Sequence, residues 1–251
     1  MKKPVWPILF FLLLLAAARQ TAAQTAVFLS SGKIEFERRI NVFARIGNGD
    51  DQWTELEKKM SNHFKTSYFD LLFTHEKSLY KPGRESDDKN AFFFFQAPAQ
   101  DNTVWCDLAH EKAVSVKNVF EQTFLVQDSL RRIRWKITDE IKKIAGFNCR
   151  RANAIIMDTI YVVAFYTDEI LTTGGPESFS GLPGMILGVS LPHQHISWFA
   201  TKVEAIPVAE SQVIAPVKGK KVDNATLKET IRSSLKDWGK TGQQYMEAVF
   251  L

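Results

Sequence analysis

Residues 147–166 read FNCRRANAIIMDTIYVVAFY, and this stretch decides the fold class. Ile160, Val162, Ala164 and Tyr166 alternate with Tyr161, Val163 and Phe165, so the second half is apolar on both faces. A strand of that kind lies centrally in a sheet or beneath a covering element. Asp158 marks a turn, which makes residues 147–157 and 159–166 a hairpin. Working outward, residues 185–189 and 196–203 form another hairpin, turned by Pro192-His193-Gln194-His195. In residues 33–40, KIEFERRI, Ile34, Phe36 and Ile40 share one face, and Lys33, Glu35, Glu37 and Arg39 the other. That is strand alternation with one face buried.

Residues 68–80, 104–108, 113–119, 121–125 and 133–137 also read as strands, with residues 138–144 as a turn between two of them. The run Phe92-Phe93-Phe94-Phe95 reads as a strand or buried edge. Residues 47–50, GNGD, break the first strand. Trp53, Leu56, Met60 and Phe64 then recur at helical spacing, with Asp50 or Asp51 as cap. Asp223 opens a C-terminal helix with Leu227, Ile231, Leu235 and Trp238 on one face, and residues 245–251 pack as a final turn. The expected architecture is mainly β, of the α+β class. It is a curved antiparallel β-sheet or open half-barrel, with a short N-terminal-side helix and a C-terminal helix.

The chain opens with an export pattern. Lys2 and Lys3 precede an apolar run through Ala18, and Thr21-Ala22-Ala23 supplies the small residues of a cleavage site. The run is about 15 residues, short of the roughly 20 that span a bilayer. Residues 1–23 are therefore read as a cleaved signal peptide, residues 24–210 as an antiparallel β domain, and residues 211–251 as a linker with a C-terminal helix. The mature chain is expected to be periplasmic or secreted, with no transmembrane span left. Cleavage removes Lys2, Lys3 and Arg19 and no acid, so the formal charge falls from +4 to +1. No charge argument for nucleic acid remains.

Cys106 and Cys149 are the only cysteines. An oxidising compartment permits a disulfide between them. It would close a loop of about 43 residues and contribute roughly 3–4 kcal/mol if unstrained. His193 and His195 would share a face if they lay on a strand, and could hold a metal with Asp158 or Glu204. Catalytic patterns are weak. Asp168-Glu169 is a carboxylate pair before a glycine turn, Ser178 and Ser180 lack a GxSxG elbow, and Gly174-Gly175-Pro176 lacks the lysine of a phosphate loop. No cofactor is expected.

The stretch at residues 174–189, GGPESFSGLPGMILGV, is a tight turn feeding a buried strand. Together with IRWKIT (133–138), IAGFNCRRA (144–152) and AFYTDEILTT (164–173), it resembles the GLPGLI family of exported Bacteroidota proteins. Met185 stands where the name motif has Leu, and Leu171 where Pro is usual. The resemblance implies an exported protein of unassigned activity, often encoded near TonB-dependent outer-membrane receptors, and carries over no catalytic residue. Its motif residues Gly175, Pro176, Phe179, Gly181, Leu182, Pro183 and Gly184 set strand register, or make a docking turn with Leu182 at its tip. The expected function is a non-catalytic binding or accessory protein of the cell envelope, with a hydrophobic ligand or an outer-membrane receptor as partner. The alternatives are a metal-handling protein using His193 and His195, and a hydrolase.

Overall fold

The computed structural model describes residues 28–46, 52–86 and 100–251. The expected signal peptide, the expected break and helix cap at residues 47–51 and the Phe92–Phe95 run lie outside the described residues.

Among the described residues twelve strands form one sheet in the order β12-β6-β5-β4-β3-β2-β1-β11-β10-β9-β8-β7. β1 (Gly32–Asn41) lies near the middle. From it the chain meanders outward through β2 (Phe64–Phe73), β3 (Lys77–Pro82), β4 (Thr103–Asp107), β5 (Lys112–Val119) and β6 (Gln122–Ser129). It then crosses to the far edge. There it begins a return meander through β7 (Lys136–Ile144), β8 (Phe147–Ile156), β9 (Ile160–Thr167), β10 (Met185–Leu191) and β11 (Ile196–Glu204). β11 pairs antiparallel with β1 and joins the two halves. The edges do not pair with one another, so the sheet is open, as expected, and not a closed barrel.

Local chemistry explains the turns. Ala145-Gly146 and Met157-Asp158 both have positive φ, the geometry of two-residue hairpins. At 74–76 the Thr74 hydroxyl accepts from the Lys77 amide, closing a turn between β2 and β3. Residues 68–80 are therefore a hairpin rather than the one strand expected. Two further expectations are corrected. Residues 138–144 belong to edge strand β7, and residues 130–135 run without regular structure, with the Trp135 indole donating to the Ser180 carbonyl at 2.9 Å. β7 carries Lys136, Asp139, Glu140, Lys142 and Lys143 and is irregular between Ile137 and Ile141. The opposite edge, β12 (Lys220–Val222), is three residues long and pairs with β6 in parallel, where the other paired strands run antiparallel.

The helices are short. α1 (Val42–Ile46) and α2 (Gln52–Met60) follow β1. α3 (Asn224–Ser234) is capped by Asp223, whose carboxylate accepts from the Thr226 amide at 2.7 Å. α4 (Gly239–Phe250) replaces the expected final turn. The main core joins both meanders through side chains such as Phe36, Phe73, Tyr80, Val162, Ile186 and Val189. A second cluster packs Leu227, Ile231 and Leu235 of the α3 segment and Val249 and Phe250 of α4 against Val119, Phe124 and Val126. Trp238 is instead 45% exposed, because the chain leaves the α3 register before it.

Candidate functional site

The turn between β9 and β10 is built from its glycines. The Gly174 carbonyl accepts from the Ile186 amide at 2.9 Å, and the Thr173 carbonyl from the Gly181 amide at 3.4 Å. Gly184 has φ +135, and a Cβ there would lie 2.1 Å from the Thr167 carbonyl oxygen. Gly175, Pro176 and Phe179 are buried, with Phe179 facing the Trp198 ring at 6.1 Å. Leu182 is only 2% exposed, while Gly181 and Pro183 face solvent. The docking-turn reading therefore fails at its key residue, since Leu182 already packs into the core. The motif sets the entry of β10.

What the turn presents inward is Glu177, a residue that motif reading passes over. It has φ +51 and is buried, and its carboxylate accepts from the Asn102 amide group at 3.0 Å. Burial pushes its carboxyl up from the ordinary range, against the Asn102 hydrogen bond and the charges of Arg38, Lys117 and Arg131. One buried carboxylate thus faces three cations.

Each cation is placed by strand alternation or by the crossing. Arg38 shares the inward face of β1 with Ile34, Phe36 and Ile40. It lies over the Phe69 ring at 4.8 Å and donates to the Gln100 carbonyl at 2.5 Å. Lys117 points inward from β5 and donates to the Val249 carbonyl at 2.5 Å. Burial pushes its ammonium down to about 8, with Glu177 opposing. Arg131 lies on the crossing between β6 and β7 and donates to the Phe250 carbonyl. Lys117 and Arg131 thereby satisfy two carbonyls at the end of α4, positions a helix leaves unpaired and favourable to cations.

On one side of Glu177 opens a groove of about 990 Å³ between the β5–β6 face and the α3–α4 pair. Lys117, Arg131 and Glu177 lie along it with apolar Leu235, Met246 and Phe250. On the other side is a small cavity of about 40 Å³, reached by Arg38, Asn102, Glu177 and Trp198.

The remaining sequence candidates do not converge here. Cys106 and Cys149 are free, buried thiols. The possible disulfide is not formed, because the residues sit in different meanders: Cys106 on β4 opposite Ser78 and Ala113, Cys149 on β8 opposite Lys142. Burial raises both thiols to about 12. His193 lies in a 3-10 turn and His195 at its left-handed end, both exposed, so strand geometry does not bring them to one face. Among the described residues no group of three or more His, Cys, Asp or Glu is placed to hold a metal. The signal for the actual cluster was Arg38, a charge in phase with the apolar residues of β1.

One comparison with known proteins falls on the same turn. A family described as "Protein of unknown function (Porph_ging)" matches residues 154–188, which span the end of β8, β9, the Glu177 turn and the start of β10. No curated protein matches the chain. Crystal structures of PNGF-II in the P21 and C2 space groups share the fold at TM-score 0.51 and 16% identity, covering 82% and 81% of this chain. This chain spans about a third of PNGF-II, 34% and 33% in the two forms. An uncharacterized conserved protein from Thermus thermophilus aligns at TM-score 0.39 and 6% identity, over 83% of this chain and 99% of that one. Among the described residues no helix is long and apolar enough to cross a membrane.

Proposed function

We propose that this chain is an exported, non-catalytic binding protein of the cell envelope whose ligand occupies the groove between the β5–β6 face and α3–α4. The groove itself carries the reading. Its volume of about 990 Å³ falls at the upper end of ordinary ligand sites, which run from roughly 300 to 1,000 Å³. Its lining pairs apolar Leu235, Met246 and Phe250 with charged Lys117, Arg131 and Glu177, which suits an amphipathic ligand or partner segment. Export rests on the Lys2-Lys3 start, the apolar run and Ala23. Association with a TonB-dependent receptor rests on the family resemblance alone.

The test is the mass of the mature chain purified from an exporting Bacteroidota host, native against denatured. A larger native mass, lost in a groove-filling Leu235→Trp variant, supports the reading; equal masses overturn a retained ligand. A mature N-terminus at Gln24 is expected, and an uncleaved N-terminus would sink the export claim. One observation favours a second reading, a hydrolase: Glu177 is a buried carboxyl, raised by its burial, opening on a groove. Turnover of a substrate that Glu177→Gln still binds but no longer converts would select it.

A further inference from the structure

The small cavity on the Arg38 side of Glu177 has the chemistry of a second site. Three of its lining residues each hold a buried polar atom with no hydrogen-bond partner: Arg38 Nε, Trp198 Nε1 and Asn102 Oδ1. All three residues are more than nine-tenths buried. Buried polar atoms are normally satisfied, and several around one cavity point to what the cavity receives. Behind them the Tyr80 hydroxyl, fully buried and stacked on Phe69, faces the Trp198 indole.

The donors outnumber the acceptors, and the charge has the same sense. Arg38 makes no ion pair among the described residues; its guanidinium is held by the Gln100 carbonyl at 2.5 Å, the Ser67 hydroxyl at 3.5 Å and the Phe69 ring. Arg45 of α1 reaches the same cavity and is near enough to Arg38 for the two charges to repel. Lys65 and Asp101 lie within electrostatic reach. Among the described residues Glu177 is the one acidic side chain on the cavity wall, and it is shared with Lys117 and Arg131. The buried Arg38 guanidinium, with the more exposed Arg45 beside it and a single shared acidic side chain, has room for a second negative charge. Ile40, Ile196, Ala248 and Leu251 supply the apolar remainder of the wall.

We propose that this cavity is a binding site for the carboxylate group of a small monoanion, held by the Arg38 Nε–H and the Trp198 indole N–H with Arg45 at its side. The volume of about 40 Å³ exceeds the roughly 10–15 Å³ that a single water needs, so the cavity admits one small group and not a bulky oxyanion. It lies across Glu177 from the groove and does not depend on the groove being occupied.

The test titrates the mature chain with acetate and with acetamide, its neutral counterpart of the same shape, reading methyl-proton saturation transfer and the rise in melting temperature. Acetate binds saturably and acetamide does not. Trp198→Phe keeps an aromatic ring against Phe179 and removes one N–H, and weakens acetate about tenfold, the order expected for a hydrogen bond to a charged group. Arg38→Met abolishes binding; should it fail to fold, Trp198→Phe still decides the matter. Equal binding of acetate and acetamide overturns the anion assignment. Unchanged acetate affinity in Trp198→Phe, or no saturable binding because the cavity takes only water, overturns the site. Leu235→Trp, which fills the groove, leaves acetate binding unchanged, so failure of the groove reading and failure of this one are told apart.

Discussion

Replacing Gly184 by Ala separates the structural role of the turn from any recognition role. The added Cβ would sit 2.1 Å from the Thr167 carbonyl oxygen and 2.8 Å from its carbon. These are backbone atoms and cannot rotate away. Thr167 is the register partner of Met185, so relief means moving the junction of β9 and β10. The φ of +135 at Gly184 adds about 1–3 kcal/mol of strain for any L-residue. Losing one or two ladder hydrogen bonds adds about 0.5–1.5 kcal/mol each. The sum is about 1.5–6 kcal/mol, centred near 4 kcal/mol, a large part of a typical folding free energy of about 5–15 kcal/mol. Gly181→Ala is the internal control. Its φ is +89, but the nearest atom to the new Cβ is Trp135 Nε1 at 3.8 Å. Only the left-handed backbone cost of about 1–2 kcal/mol applies. Urea unfolding of both variants measures the difference. Gly184→Ala should lose about 2 kcal/mol more than Gly181→Ala, the gap between those two sums. Equal losses, or Gly181→Ala as the worse variant, would refute the argument that close backbone approach fixes this turn.

Other outcomes follow from the same geometry. Leu182→Ala should destabilise by about 2–5 kcal/mol, because Leu182 is 2% exposed; a loss below about 1 kcal/mol in urea unfolding, the range of surface substitutions, would return Leu182 to a surface role. Lys117 is held at about 8 in the folded chain against an ordinary 10.5. The unfolded state therefore binds more protons between those values, and stability should rise as pH increases from about 8 to 10.5. The gain is up to about 3 kcal/mol. It should be missing in Lys117→Met, and an identical pH profile in the two proteins would contradict the burial of that ammonium. Cys106 and Cys149, both raised to about 12, should stay unreactive to a thiol reagent near neutral pH until the chain is unfolded. Rapid labelling of the folded protein, or a disulfide in the purified chain, would show the thiols to be placed otherwise.

Strands β8 to β11 of the return meander are legible in sequence because their signals are local. Residues 147–166 carry both an apolar run and a turn, and β9 is indeed buried along nearly its whole length. β7 is hidden because an edge strand with both faces wet loses the period-2 contrast, and its charges read as a turn. The hairpin of β2 and β3 is hidden because its turn, closed between Thr74 and Lys77 by a backbone hydrogen bond and the Thr74 hydroxyl, carries no glycine or proline. The site is largely illegible. Glu177 falls between the glycines and prolines that define the motif, and Lys117, Arg131 and Asn102 reach it only through long-range pairing. Arg38 is the exception: alternation alone sets it on the face of Ile34 and Phe36, and a charge there calls for a partner.

The two ends of the sheet bear on how this chain behaves in a crowd. An open sheet offers rows of unpaired N–H and C=O groups to any passing extended chain, and unprotected rows template fibrous growth. Here one row belongs to β7, which is irregular near Ile137 and carries five charged side chains. The other belongs to β12, three residues long and beginning Lys220-Lys221. A chain adding to β7 would have to dehydrate those charges across an uneven register, and one adding to β12 would find too few bonds to hold it. Polymerisation through the sheet is blocked at both ends by sequence, so the sheet can remain open without closing into a ring.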